Sequence, residues 1–218
     1  MTQVAEALTP SKIVCVGRNY ADHAAELNNP LPVEPLLFIK PSTAVTRLPQ
    51  VLIPPHQGAC HHELELTLLI GAPLRRASAD QALAAVAGVG LGLDLTLRDV
   101  QSRLKAAGQP WERAKAFDGS CALGPFIEAT AVDLAASFEL QLVKNNQLVQ
   151  QGDTAALLFP LAQLLADISQ QFTLLPGDVV MTGTPAGVGP LAAGDQLQLR
   201  LRQGTSRWQW SADVAYDI

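Results

Sequence analysis

Between Val86 and Asp94 every second residue from Gly88 to Gly92 is glycine, while Val89, Leu91 and Leu93 take the alternate positions. Side chains alternate across a strand, so this segment predicts a strand with one apolar face and one face bare of side chains until Asp94. A bare face lets something approach the backbone closely. The apolar face makes the strand central and leaves Asp94 at its end with few neighbours to solvate it, and a charge placed there needs a partner. Thr96 and Asp99 have the spacing of a capping box, with Leu97, Val100 and Leu104 at helical intervals and Gly108 and Pro110 beyond. Asp94 therefore stands at a strand-to-helix junction, either as a site residue or as a helix cap.

Two further carboxylates have strand spacing. Glu63 and Glu65 lie in His61-His62-Glu63-Leu64-Glu65-Leu66, where polar and apolar residues alternate. A strand would aim both at one side about 7 Å apart, where like charges repel unless a cation or proton intervenes. Oxygen ligands of this kind suit Mg2+, Mn2+ or Ca2+ rather than zinc. The plainer alternative is a half-solvated strand in which Glu63, Glu65 and Thr67 meet water while Leu64, Leu66 and Leu68 pack inward.

The rest of the chain reads as short, strand-rich elements separated by Pro and Gly. Strands are expected at Ile13 to Val16, Leu36 to Ile39, Glu63 to Ile70 and Val179 to Thr182. Helices are expected at Ala79 to Ala87 and after Pro160, where Leu161, Leu164, Leu165 and Ile168 share a face. Leu197, Leu199 and Leu201 alternate with polar residues, a turn follows at Gly204, and Trp208 and Trp210 alternate back, the pattern of a hairpin. The loop Gly183 to Pro190 is glycine-rich but lacks the lysine and helix of a phosphate-binding loop, so it reads as a backbone wall near a ligand.

With 218 residues, 48% of them hydrophobic and 16% charged, the chain can bury a core as one domain. A net charge of -5 without a basic run argues against nucleic-acid or anionic-membrane partners and leaves small molecules. Cys15, Cys60 and Cys121 are odd in number and set among apolar or small neighbours, as expected of reduced, buried thiols in a cytoplasmic protein. Met1 to Pro10 has neither the basic start nor the apolar run of a secretory signal, and no run approaches a membrane span.

The block Gly17-Arg18-Asn19-Tyr20-Ala21-Asp22-His23-Ala24-Ala25-Glu26 follows a strand, and a short helix there sets His23 and Glu26 one turn apart. A carboxylate on one imidazole nitrogen raises the basicity of the other, so the pair is a candidate base and orienter, or else an ordinary surface pair. Asn28-Asn29-Pro30-Leu31-Pro32 follows as a loop that could close over a substrate. Cationic residues are few. Arg18, Lys40 and Lys115 each follow or adjoin apolar and aromatic residues and either face a pocket, where they would balance carboxylates or bind a substrate carboxylate, or reach out to solvent.

Gly17-Arg18-Asn19-Tyr20, Phe38-Ile39-Lys40-Pro41-Ser42, His62-Glu63-Leu64-Glu65-Leu66, Asp94 to Gln101, Lys115-Ala116-Phe117-Asp118 and Thr182-Gly183-Thr184-Pro185 resemble, in order and over nearly the whole chain, the motifs of the fumarylacetoacetate hydrolase superfamily. The short length resembles its acylpyruvase and oxaloacetate decarboxylase branch. The resemblance implies an α+β fold, a β-rich mixed roll, with residues 1–218 as one catalytic domain and an N-terminal lid at about 17–32. It implies Mg2+ or Mn2+ on Glu63, Glu65 and Asp94, Lys115 near metal and substrate, and a water-activating dyad of His23 and Glu26. Arg18, Gln101 and Thr184 match substrate-binding positions, and a homodimer is the usual assembly.

The function expected is hydrolysis of the carbon-carbon bond of acylpyruvates through a pyruvate enolate, with oxaloacetate decarboxylation at the same site. The alternative is an isomerase or tautomerase of 2-oxo or 2-hydroxy-dienoic diacids, including an oxaloacetate keto-enol tautomerase. The dyad favours hydrolysis, since isomerisation needs no activated water. A metal-stabilised binding protein without catalysis is a third reading.

Overall fold

The computed structural model describes residues 9–26 and 30–217. The first third of the chain comprises β1 (Lys12–Gly17), α1 (Ala21–Glu26), β2 (Leu36–Pro41), β3 (Val45–Arg47), β4 (Gln50–Ile53), β5 (Cys60–His62) and β6 (Leu64–Ile70). Then come α2 (Ala79–Ala84), β7 (Val86–Asp94), β8 (Thr96–Leu97), α3 (Arg98–Ala106), α4 (Glu112–Lys115), β9 (Cys121–Leu123) and β10 (Ile127–Glu128). The last third holds β11 (Glu139–Lys144), β12 (Gln147–Asp153), α5 (Leu161–Gln171), β13 (Val179–Met181), β14 (Gly189–Pro190), β15 (Gln196–Gln203) and β16 (Ser206–Tyr216).

The strands form three sheets. An eight-stranded sheet runs β2-β1-β13-β6-β7-β9-β3 with β10 added to β7, a five-stranded sheet runs β12-β11-β15-β16-β4, and β14-β5-β8 form a small third. Pairing is mostly antiparallel, with β1 parallel to β13, β3 to β9 and β4 to β16. The architecture is the β-rich α+β expected. Its main core lies between the sheets, where Leu64, Leu66, Leu68, Val89, Leu91 and Leu93 meet Phe138, Leu140, Leu142, Leu197, Leu199 and Leu201 with the apolar face of α5. Each such side chain contributes roughly 1.5–3 kcal/mol on burial. The opposite face of the large sheet carries a smaller cluster of Ile13, Cys15, Cys121, Leu123, Val179 and Met181. All three cysteines are free and buried.

The bare face of β7 is occupied by the protein itself. A Cβ on Gly92 would lie 3.0 Å from Thr67 Cγ2 and 3.1 Å from the Ala122 carbonyl, and one on Gly90 would meet Pro125 O at 3.1 Å. The glycines let the 122–126 segment and Thr67 close over the strand.

Two local expectations are corrected. Thr96 and Asp99 make no capping box: Thr96 is completely buried in β8 and donates to Asp94 O, and α3 starts after Leu97 without a side-chain cap. Tertiary pairing of β8 with β5 claims Thr96 first. The helix expected to reach Ala87 stops at Ala84, because Val86 already pairs with Ile70. Its start is set by a reciprocal Ser78–Gln81 capping box.

Asp178, wholly buried, joins the turn before β13 to the start of β1. Its carboxylate accepts from Ser11 N (2.9 Å), Ser11 Oγ (2.7 Å), Lys12 N (3.2 Å), Lys12 Nζ (2.5 Å) and Leu175 N (2.9 Å). Burial alone would raise its pKa, but the bonds from Lys12, Ser11 and Leu175 hold it below the ordinary 3.8. A depressed carboxyl stabilises the fold above its unfolded pKa and loses that contribution as pH falls through the folded value. Asp178→Ala should therefore cost roughly 3 kcal/mol at neutral pH, and the gap to wild type should narrow in melting curves recorded at progressively lower pH.

Candidate active site

β6 and β7 pair with Leu64 opposite Leu93 and Glu65 opposite Gly92, and Asp94 N donates to Glu63 O (2.9 Å). This register brings Asp94 alongside Glu63 and places Glu65 two residues further on. Ligand oxygens of the three lie within 4.8 Å of one another, with the residues 4%, 1% and 1% exposed. Thr67 is fully buried as well, so the half-solvated strand is excluded.

Such a concentration of negative charge demands cations. Lys115 Nζ lies 2.7 Å from Glu63 Oε2 and 2.6 Å from Asp94 Oδ2, and Arg98 Nη2 binds Glu63 Oε1. Lys40 Nζ lies 2.8 Å from Asp94 Oδ1, an ion pair without hydrogen-bond alignment, because the ammonium is directed to the carbonyls of Lys115 and Ser120. Two carboxylates, Glu63 and Asp94, thus share three cations, but among the described residues no cationic side chain pairs with Glu65, whose Oε2 accepts only from Gly183 N (2.7 Å).

Burial would raise the Glu63 carboxyl, but Lys115 and Arg98 hold it well below the usual range. Burial, with Asp94 and Glu63 nearby, pushes Glu65 well above it. Burial would lower Lys115, but the two carboxylates raise it, so it stays an ammonium. Three carboxylates with no thiolate or imidazole among them, one lacking a cationic partner, fit a hard divalent ion. Glu63, Glu65 and Asp94 would hold it.

At the end of β1 the chain turns through Arg18, a non-glycine residue at φ +60°. Asn19 fixes this turn: its Nδ2 donates to Thr182 O (2.8 Å) and its Oδ1 accepts from Phe159 N (2.8 Å). α1 then carries His23 and Glu26. His23 is 5% exposed, so the pair is no ordinary surface pair. Its Nδ1 lies 3.2 Å from Glu26 Oε2, and Glu26 Oε1 accepts from Gly187 N (3.0 Å). Leu27, Asn28 and Asn29 of the expected lid lie outside the described residues.

Arg18, His23, Gln101, Lys115 and Thr184 line one cleft with the three carboxylates. Glu26 does not line the cleft; its side chain is 31% exposed and is joined to the cleft through His23. Lys40, expected to meet substrate, is not brought to the wall; fully buried behind Asp94, it braces that carboxylate and the end of α4. Sequence reasoning passed over Arg98 and Lys105, which also line the cleft. Arg98 Nη1 donates to Gln101 Oε1 (2.6 Å) while its other nitrogen holds Glu63. The scarcity of basic residues that singled out Arg18, Lys40 and Lys115 applies equally to Arg98, four residues after Asp94. Phe38 and Trp111 form one side of the cleft, edge to face at 6.1 Å, with Lys115 Nζ 5.2 Å from the Phe38 ring.

A β-rich α+β fold carrying a buried carboxylate triad beside a His–Glu pair defines an enzyme of a recognisable class. Residues 12–209 match the fumarylacetoacetate (FAA) hydrolase C-terminal family, and the chain belongs to it. The oxaloacetate tautomerase YcgM of Escherichia coli (strain K12) is 53% identical over 189 residues, 86% of either chain. The mitochondrial oxaloacetate tautomerase FAHD1 of Bos taurus is 42% identical over 85% of either chain. A fumarylpyruvate hydrolase from Pseudomonas aeruginosa, solved with Mn2+ and pyruvate, superposes with a TM-score of 0.89 at 33% identity, over 99% of this chain and 95% of that one.

These relatives overturn the expectation of acylpyruvate hydrolysis, because two that match most of the chain are named for tautomerisation of oxaloacetate. The expectation gave the dyad too narrow a meaning: an imidazole with a fixed tautomer can take a proton from substrate as readily as from water. Among the described residues no helix is long and apolar enough to cross a membrane.

The charge arrangement separates two isosteric changes in chelator-treated protein. Glu65→Gln replaces a carboxyl that burial and its anionic neighbours already drive towards its neutral form, and should leave the melting temperature at or above that of wild type. Glu63→Gln strips Lys115 and Arg98 of a shared anion and should cost about 3–5 kcal/mol. Thermal melts in chelator check the order, and the reverse order would contradict it.

Proposed function

We propose that this chain is a divalent-cation-dependent oxaloacetate keto-enol tautomerase. The observation that carries the reading is the convergence of Glu63, Glu65 and Asp94 in one cleft with His23 and with the cationic Arg18, Arg98, Lys105 and Lys115. The names of the tautomerase relatives support it, and the Mn2+ and pyruvate bound by the fumarylpyruvate hydrolase support a divalent ion and a 2-oxo acid as ligands of this fold.

The three carboxylates are offset by Arg98, Lys115 and Lys40, so a divalent ion leaves the site with a positive excess matched to a small dicarboxylate. When bound, that ion supplies a Lewis acid at the 2-oxygen. Lys115 spends two N–H groups on Glu63 and Asp94, and its third is free to donate to an oxygen that gains negative charge in the reaction. Arg18 and Gln101 offer donors to the substrate carboxylates.

Converting enol to keto form removes the proton of the 2-hydroxyl, forms C2=O, and adds a proton to C3 as the C2=C3 bond becomes single. His23 moves that proton. Its Nδ1–H is held by Glu26, which leaves Nε2 basic, first to take the hydroxyl proton and then to return it to C3. Both half-steps use one group, and no water is consumed.

With Mg2+ present, the protein should speed the disappearance of freshly dissolved enol-oxaloacetate above the buffer rate, and chelator should abolish the acceleration. His23→Ala should lower kcat by about 10²–10⁴-fold with Mg2+ still bound. Pyruvate released without faster enol decay, or undiminished enol decay by His23→Ala, would contradict this assignment.

A further inference from the structure

Gln150, on β12, does not line the cleft, yet its buried amide joins the two backbones that form it. His62 Nδ1 (2.8 Å) and Leu64 N (3.0 Å) both donate to its Oε1, and its Nε2 donates to Thr184 Oγ1 (2.9 Å) and Pro185 O (2.9 Å). The residue is 2% exposed, and its partners fix the amide's orientation, since a backbone N–H and a carbonyl cannot exchange roles. His62 and Leu64 flank Glu63, whereas Thr184 and Pro185 belong to the loop that supplies Gly183 N to Glu65 (2.7 Å) and Gly187 N to Glu26 (3.0 Å).

The loop has no slack against β12. A Cβ on Gly187, at φ +97°, would lie 2.2 Å from Val149 O, and one on Gly152 would lie 2.7 Å from Pro185 Cβ. Thr184 completes the connection, donating its hydroxyl hydrogen to Leu64 O (2.8 Å) while accepting from Gln150. The geometry points to Gln150 as a positioning residue that sets the spacing between the carboxylate strand and the 183–187 loop, and so aligns Glu65 for the cation and Glu26 for His23. Replacing it leaves both orienting N–H groups on a loop with no side-chain anchor to β12, and partners of this kind outside the ligand set commonly change metal affinity by 10–100-fold.

The inference rests on the metal reading of Glu63, Glu65 and Asp94, so Mn2+ binding by calorimetry is measured beside enol-oxaloacetate turnover. Gln150→Met removes all four bonds at similar volume. Gln150→Glu keeps the acceptor for His62 and Leu64 but loses the donors to the loop. Both should remain folded at the assay temperature, with Mn2+ affinity lowered roughly tenfold or more in Gln150→Met and less in Gln150→Glu. Turnover (kcat) should fall about tenfold in both, because Glu26 loses its alignment in each. Gln150→Glu with wild-type Mn2+ affinity and wild-type kcat would overturn the role, whether or not Gln150→Met folds. Wild-type protein that binds Mn2+ without turning over the enol would remove the proposed reaction and leave the Mn2+ arm to decide on Gln150; wild-type protein that binds no Mn2+ would overturn both.

Discussion

Three carboxyl groups and three cationic side chains share a nearly dry space where β6 begins and β7 ends, and the rest of the site is arranged around their balance. In an interior of low dielectric an unpaired charge is costly, so Lys115 between Glu63 and Asp94, Arg98 on Glu63 and Lys40 behind Asp94 are conditions for placing three carboxylates there at all. Glu65 is the exception. With only a backbone N–H to oppose its charge, it is the member of the set for which a bound cation matters most. Balance in the protein therefore leaves an imbalance at one carboxylate, and that is where binding energy for a metal is available.

The fold supplies this arrangement through the glycines of β7. Their missing side chains let Thr67 and the 122–126 segment, which pairs beside β7, pack tightly against the strand that ends in the buried Asp94. The antiparallel register of β6 and β7 then brings residues 31 positions apart into adjacent places. Since side chains alternate, a slip of one residue would turn both glutamates towards the apolar core, so the leucines of β6 fix the position of the carboxylates as well as the core.

How much of this is legible in sequence depends on whether a property is local. Alternation revealed β6, β7 and the β15–β16 hairpin, and the spacing of Glu63, Glu65 and Asp94 marked the carboxylates, because period two is written into consecutive residues. The capping box at Thr96 was misleading, since β8 pairs with β5, a partner more than thirty residues away in sequence that no local pattern encodes. Lys40 and Arg98 differ only in depth: both are cations near carboxylates, but one is fully buried behind Asp94 and the other faces the cleft. Gln150 carried no signal at all. Among Gln147, Gln150 and Gln151 on a strand whose Leu148 is exposed, only the tertiary packing shows which amide is buried.

Hydrolysis and tautomerisation begin from the same bound 2-oxo acid, and tautomerases and a fumarylpyruvate hydrolase both use this fold, so the backbone does not decide between them. On the proposed reading, what decides is the group that meets His23 Nε2. A hydrolase must admit a water there and keep it aimed at a distal carbonyl, whereas a tautomerase needs only two substrate atoms, an oxygen and the adjacent carbon, within reach of one imidazole. His23 is almost wholly enclosed, its Nδ1 is committed to Glu26, and Glu26 is in turn tied to Gly187. On the proposed reading, a base held in this way takes the proton of the 2-hydroxyl and returns it to C3, so the reaction needs no water at that position.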